Sequence, residues 1–262
     1  MQRMVLLAAG LAFLVSCSRP PDAPTDLETL TGFLFEHMKD EDPDAMSAGV
    51  ANLDAWLSTN LAPTSEGYAI ANISQESLNT LDGMERNSDG LDGAAVSTSS
   101  RFAVQEIAAG LIEADQMQVY PGRFDTYART FSEDIDCFLD HQCEAMDYRS
   151  DLDTNLPLGI QVNTKVNGTF RWVDLDGKPV LVGRTWLEEP AEVSVSFFKV
   201  KAQYYLTINL PTEADGSTRL HAMWAETQLL SASIPETTAL NMLISSLTNG
   251  DEMLYEYLEA QP

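Results

Sequence analysis

From about residue 155 onward the apolar residues of this chain recur at every second position, and that period forces the region into strands. Leu158, Ile160, Val162, Thr164 and Val166 alternate with polar neighbours and run into Asn167-Gly168. An Asn-Gly pair flanked by such runs is the strongest short-range signal for a two-residue hairpin, because both positions must accept a positive φ. A second turn at Asp176-Gly177 joins 170–173 to 180–182, and further strands fit 191–200, 203–210 and 218–228. The spacing predicts an antiparallel meander of about six strands.

Helical spacing dominates what comes before. Thr25 and Glu28 form a capping-box pattern ahead of Leu27, Leu30, Leu34 and Met38, which predicts a helix to about Lys39. Asp42-Pro43 opens a second helix carrying Met46, Val50, Leu53, Leu57 and Leu61 on one face. A short strand fits 68–73 and a short helix 74–81. Residues 82–100 hold three Asp-Gly pairs and a Ser/Thr run, which reads as a long mobile loop. Helical spacing returns with Phe102, Ile107, Leu111 and Ile112, and again with Phe124, Tyr127, Phe131, Ile135 and Leu139. After the meander, Ser233 and Glu236 cap an amphipathic helix bearing Leu240, Leu243, Ile244 and Leu247; Asn249-Gly250 is expected to break it before a last turn over 253–258. The pattern is α+β: one domain over 27–262, helical over about 27–145, with the sheet and C-terminal helix over about 155–262.

The first residues carry an address. Arg3 is followed by an uncharged apolar run from Met4 to Val15, too short to span a bilayer and proportioned like a signal peptide over residues 1–16. Leu14-Val15-Ser16-Cys17 resembles the lipobox of bacterial lipoproteins. The resemblance implies that Cys17 is lipidated and, with cleavage, becomes the first residue; palmitate is among the acyl groups expected. Two or three chains anchor a protein firmly, whereas one binds marginally. Ser18 stands where an Asp would favour the inner membrane, so the resemblance points to the outer membrane, facing the periplasm, with the inner membrane and the cell surface left open. The Pro-rich stretch completing 17–26 reads as a tether.

Without residues 1–16 the chain carries 14 Lys and Arg against 40 Asp and Glu, a formal charge of −26. Nucleic acid is bound through clustered Lys and Arg, and no segment is rich in them, so nucleic acid is rejected as a partner. Cys137 and Cys143 are the remaining cysteines, and an oxidising compartment makes them a disulfide. The alternative, zinc held with His141, lacks a CxxC knuckle and a fourth ligand. Asp151, Asp153 and Asn155 begin like a calcium-binding EF-hand loop, but Leu156 replaces the turn glycine and Val162 the bidentate Glu. That leaves them the weak calcium candidate and no metal otherwise expected. No nucleophile elbow, HExxH pair or phosphate loop occurs, so no catalytic residue and no cofactor are expected.

Phe170, Arg171, Trp172, Trp186, Tyr204 and Trp224 fall in the expected sheet and are the candidate lining of an apolar ligand pocket under the last helix. A meander closed by a long amphipathic helix is similar to the helix-grip fold of START-type lipid-binding domains over about 155–260, and that similarity implies a cavity for a hydrophobic ligand. The first expectation is therefore a non-catalytic, lipid-anchored periplasmic protein that binds a hydrophobic small molecule. A lipoprotein that assembles with another envelope protein is the alternative, and a hydrolase without a recognisable motif stands third.

Overall fold

Alternating strands and amphipathic helices must bury one face each, and here they do so in three layers built on one nine-stranded antiparallel sheet. The computed structural model describes residues 22–40, 43–61, 66–82, 84–156, 159–229 and 236–261. The signal-like segment 1–16, Cys17, the tether up to Pro21, Asp42, Leu158 and Ser233 lie outside the described residues.

Helix α1 (Leu27–Glu36) starts one residue later than the expected box, with the Asp26 carboxylate accepting from the Thr29 amide at 3.0 Å. It is followed by α2 (Asp44–Asn60), β1 (Tyr68–Ala69), α3 (Gln75–Asn79) and β2 (Asp92–Ser100). Then come α4 (Val104–Ile112), α5 (Gln116–Val119), β3 (Thr126–Phe131) and α6 (Ile135–Leu139). The remaining strands are β4 (Ala145–Leu156), β5 (Ile160–Leu175), β6 (Lys178–Leu187), β7 (Glu192–Val193), β8 (Phe198–Pro211) and β9 (Ser217–Leu229), and α7 (Glu236–Glu259) closes the chain. The strand order is β1-β2-β9-β8-β6-β5-β4-β3, with β7 paired to β5.

The sheet is larger than the expected six strands because β2 and β3 form where a loop and a helix were expected, β4 fills the stretch between the helical and sheet parts, and β1, where a short strand was expected, joins the same sheet. The stretch read as a mobile loop contains β2, whose small residues lie along β9 from Asp92↔Ala225 to Ser100↔Ser217. Ala and Ser carry little strand propensity, but cross-strand packing decides a sheet position more than propensity does. The expected helix through Phe124, Tyr127, Phe131, Ile135 and Leu139 is a strand followed by a single short helix: Tyr127, Arg129 and Phe131 alternate along β3, and the helical spacing survives only in α6.

Asn167-Gly168 is not a turn. Both residues lie inside β5, and the Tyr148 side chain of β4 covers Gly168 so closely that a Cβ there would collide with two ring carbons and the hydroxyl oxygen. The glycine serves a close approach rather than a positive φ. Asp176-Gly177 does turn, with φ of 52° and 81°, and joins β5 to β6. The chain also runs straight through Asn249-Gly250 inside α7.

Helices cover both faces of the sheet. On one face α1 to α3 pack on Trp186, Tyr204, Leu206, Ile208, Leu220 and Trp224. On the other, α4, α6 and the end of α7 pack on Met146, Phe170, Trp172 and Leu181, while the middle of α7 packs on Ala94, Val96 and Met223. Two-sided cover explains why residues 168–173 and 180–184 are buried without alternation, a pattern usual for sheets flanked by helices on both sides. Each buried indole finds an acceptor: Trp172 donates to the Phe138 carbonyl, Trp186 to Asp82 and Trp224 to Ala71.

Gly168→Ala is expected to cost about 1–3 kcal/mol by overpacking against Tyr148, whereas Asn167→Thr, a strand-favouring change, is expected to leave urea stability unchanged or raise it. A hairpin at 167–168 would make the threonine variant the damaged one.

Candidate functional site

The face of the sheet beneath α7 is not uniformly apolar. Strand alternation points Thr98 of β2, Arg219 and His221 of β9 and Thr207 and Asn209 of β8 to this side, in register across three neighbouring strands. On α7, Asp251 takes a place on the stripe that Leu247, Leu254 and Leu258 otherwise make apolar, so its carboxylate is carried to the same point.

Arg219 Nη1 and Asp251 Oδ1 lie 2.8 Å apart with both side chains at most 3% exposed. They form a close ion pair without hydrogen-bond alignment. The Arg219 Nε donates to Thr207 Oγ1 at 3.0 Å, and Thr98 Oγ1 donates to Asp251 Oδ2 at 3.1 Å. With its proton so committed, Thr98 accepts from the Tyr255 hydroxyl at 2.8 Å. His221 Nδ1 stands 3.6 Å from Asp251, and neither it nor Asn209 Oδ1 has a hydrogen-bond partner among the described residues.

Burial pushes the Asp251 carboxyl up, but the Arg219 charge, with His221 and Thr98, more than offsets it and leaves the group below the usual carboxylate value. Burial also holds His221 below the ordinary imidazole value, and Arg219 adds to this against the pull of Asp251. The cluster therefore holds one cation and one anion that neutralise each other, beside a neutral imidazole.

Beyond this cluster the same face opens. Tyr205, Thr185, Gln203, Val166, Leu152 and Tyr127 are half-buried, although the positions nearer α4 on the same strands are closed. One border of this strip is α7, whose half-buried Leu240 and Leu243 pack, as Tyr205 does, against the cluster that holds Met223, Ile244 and Leu247. The other border is the turn after α5 and strand β3, where arginines alternate with aromatic rings. Arg123 lies over Tyr120 and Phe124 at 5.6 and 6.0 Å from the ring centres. Arg129 lies 4.5 Å from the centre of Tyr148 and donates to Ser150 Oγ and the Leu111 carbonyl.

The six residues expected to line one pocket divide between the two faces. Phe170 and Trp172 lie on the α7 side, packed with Phe138. Trp186, Tyr204 and Trp224 belong to the core under α1 and α2. Arg171 turns the same way, donates to Glu144 and caps the carbonyls of Met38 and Asp40. A cleft of about 650 Å³ lies at Arg171, Trp172, His141 and Cys143, and one of about 350 Å³ at Lys39, Asp147, Tyr148 and Trp186. Cys137 and Cys143 form a disulfide with Cα atoms 5.4 Å apart. Asp151, Asp153 and Asn155 lie two residues apart in the extended strand β4, not in a loop, and the Asn163 amide donates to both aspartates.

Arg123, Arg219, His221, Asp251 and Tyr255 were not among the expected site residues. Arg219 and Asp251 each occupy a position that their element's period reserves for an apolar side chain, which is the signal that could have found them.

No protein-family model matches the chain, and no curated protein matches it in sequence. Solved structures that overlay on part of it include a STAR-related lipid transfer protein from Xanthomonas axonopodis, 13% identical, covering 66% of this chain and 96% of that one with a TM-score of 0.41. A protein from Thermus thermophilus overlays at 11% identity, 64% and 97% coverage and a TM-score of 0.42. A START superfamily protein from Mycobacterium smegmatis does so at 10% identity, 64% and 97% coverage and 0.39. Overlap this partial at identity this low says nothing of what the present chain binds.

Asp251→Asn strips a buried guanidinium of its counter-charge and is expected to cost on the order of 3–5 kcal/mol in urea unfolding, while Arg219→Met with Asp251→Leu recovers most of the loss. Because folding lowers His221 below its ordinary 6.5, the unfolded chain takes up that proton first, so the stability it gives is full above 6.5 and lost as pH falls through the folded value. Asp251, lowered from 3.8, acts with the same sign at more acid pH. The melting temperature should fall between pH 7 and pH 5, and His221→Asn should flatten that part of the slope.

Proposed function

We propose that this chain is a non-catalytic, membrane-anchored periplasmic lipoprotein of the outer membrane that holds a hydrophobic small molecule between its sheet and α7. The observation that carries the reading is the half-buried strip of Tyr205, Thr185, Val166 and Tyr127, on the same sheet face whose Met146, Phe170, Trp172 and Leu181 are sealed under α4, α6 and the end of α7. Ligand sites are mostly apolar with a few placed polar groups, and this strip has aromatic walls with Arg123 and Arg129 at one border. The lipobox-like Leu14-Val15-Ser16-Cys17 supports the anchor, and the Pro-rich tether supports a domain held clear of the bilayer.

Two measurements test the reading. Mass spectrometry of the mature N-terminus should find Cys17 carrying diacylglycerol, and Cys17→Ala should abolish palmitate labelling and membrane retention; a chain that stays at the membrane without lipid would end the anchor assignment. The chain lacking residues 1–17 keeps every described element. Native mass spectrometry of that chain should show a co-purifying apolar molecule that organic extraction removes. An empty protein that takes up no lipid would end the binding assignment.

A further inference from the structure

In a chain with 14 basic residues against 40 acidic ones after residue 16, a half-buried guanidinium that neither a carboxylate nor a carbonyl engages stands out. Seven of the basic side chains, Lys39, Arg101, Arg149, Lys165, Arg171, Lys201 and Arg219, each pair with a carboxylate, and Arg86 and Arg184 donate to backbone carbonyls. On the α7 face Asp251 is spent on Arg219, and Arg129 is spent on Ser150, the Leu111 carbonyl and three aromatic rings.

Arg123 differs. Its guanidinium rests on the faces of Tyr120 and Phe124, and among the described residues no carboxylate, carbonyl or hydroxyl accepts a hydrogen bond from it. Its position is built into α7. Gly250 sits mid-helix, where glycine costs about 1 kcal/mol against alanine, and a Cβ there would stand 3.2 Å from Arg123 Nη1. The helix gives up a side chain where the guanidinium passes. Arg123 is also near enough to Tyr205 and His221, the two half-buried side chains at the inner end of the strip, for its charge to act on both.

We propose that Arg123 binds the anionic head of the ligand, and that the ligand is a long-chain carboxylate whose tail lies along the strip toward Val166 and Leu152. This rests on the groove reading above and adds the ligand's class to it. A single planar guanidinium offers one fork of parallel N–H groups, which matches one carboxylate in a bidentate pair. The net charge of the protein repels anions at a distance, so only an anion with an apolar tail is held.

Binding of palmitate, hexadecanol and methyl palmitate to the chain lacking residues 1–17 tests this by tryptophan fluorescence and calorimetry. Palmitate should bind at least about tenfold more tightly than the alcohol or the ester, as expected for a charge-assisted pair lost. Arg123→Gln should remove that preference, bringing the affinity for palmitate down to that for hexadecanol. Gly250→Ala, which crowds the guanidinium without removing its charge, should weaken palmitate alone. Equal binding of acid, alcohol and ester to the unaltered protein overturns the head-group assignment and leaves the groove standing. Hexadecyl phosphate binding far more tightly than palmitate overturns the carboxylate in favour of a phosphate. Binding of none of the four probes overturns the groove itself. The comparison of probes needs no variant, so it holds even if Arg123→Gln impairs folding.

Discussion

The ion pair between Arg219 and Asp251 is the contact on which the arrangement of α7 depends. Two charges taken this far out of water cost several kcal/mol each, and their attraction repays that only in one geometry, with the remaining polar atoms engaged. Thr98, Thr207 and Tyr255 supply those engagements from β2, β8 and α7 itself. An apolar stripe alone would let α7 slide or rotate on the sheet at small cost; a buried charge allows one register. Once Asp251 is fixed, Gly250 is fixed beside Arg123, and Leu254 and Leu258 are fixed in the core with α4 and Trp172.

The sheet divides along its strands as a result. Near α4 it is sealed on both faces, with Phe170, Trp172 and Leu181 on one side and Val173, Val180 and Val182 on the other. Farther along, the α1 side is closed at Trp186 and Tyr204 and open at Arg149 and Asp151, and the α7 side keeps half-buried aromatic and polar residues. The closed end supplies stability and the open end supplies surface for a ligand. Elements used for binding are commonly drawn from the less protected part of a structure.

Much of this was legible in the residues. The helices at Leu27, Met46 and Ile107, the strands over 203–210 and 218–228, the Asp176-Gly177 turn and the final amphipathic helix follow from period and turn chemistry. What was not legible shares one physical cause, since tertiary contact overrode a local signal. Gly168 reads as a hairpin glycine but is required by the Tyr148 ring, and Gly250 reads as a helix break but makes room for Arg123. Strand β2 is poor in strand formers and is held by β9. For the site, the aromatic residues counted from sequence were mainly core, because a large aromatic in a two-sided sheet is buried whichever way it points. The informative residues were polar ones on apolar stripes, Arg219 and Asp251, which a count of aromatics passes over.

If α7 is pinned at Asp251 and a ligand lies against its other half, the helix should behave as two parts. Amide hydrogen exchange on the chain lacking residues 1–17, with and without palmitate, reads this directly. The account predicts that residues 251–258 are strongly protected in both samples, and that added palmitate slows exchange in 240–247 and at 203–205 of β8. Uniform protection along α7 that palmitate leaves unchanged, or a ligand effect confined to the α1 side of the sheet, would contradict it.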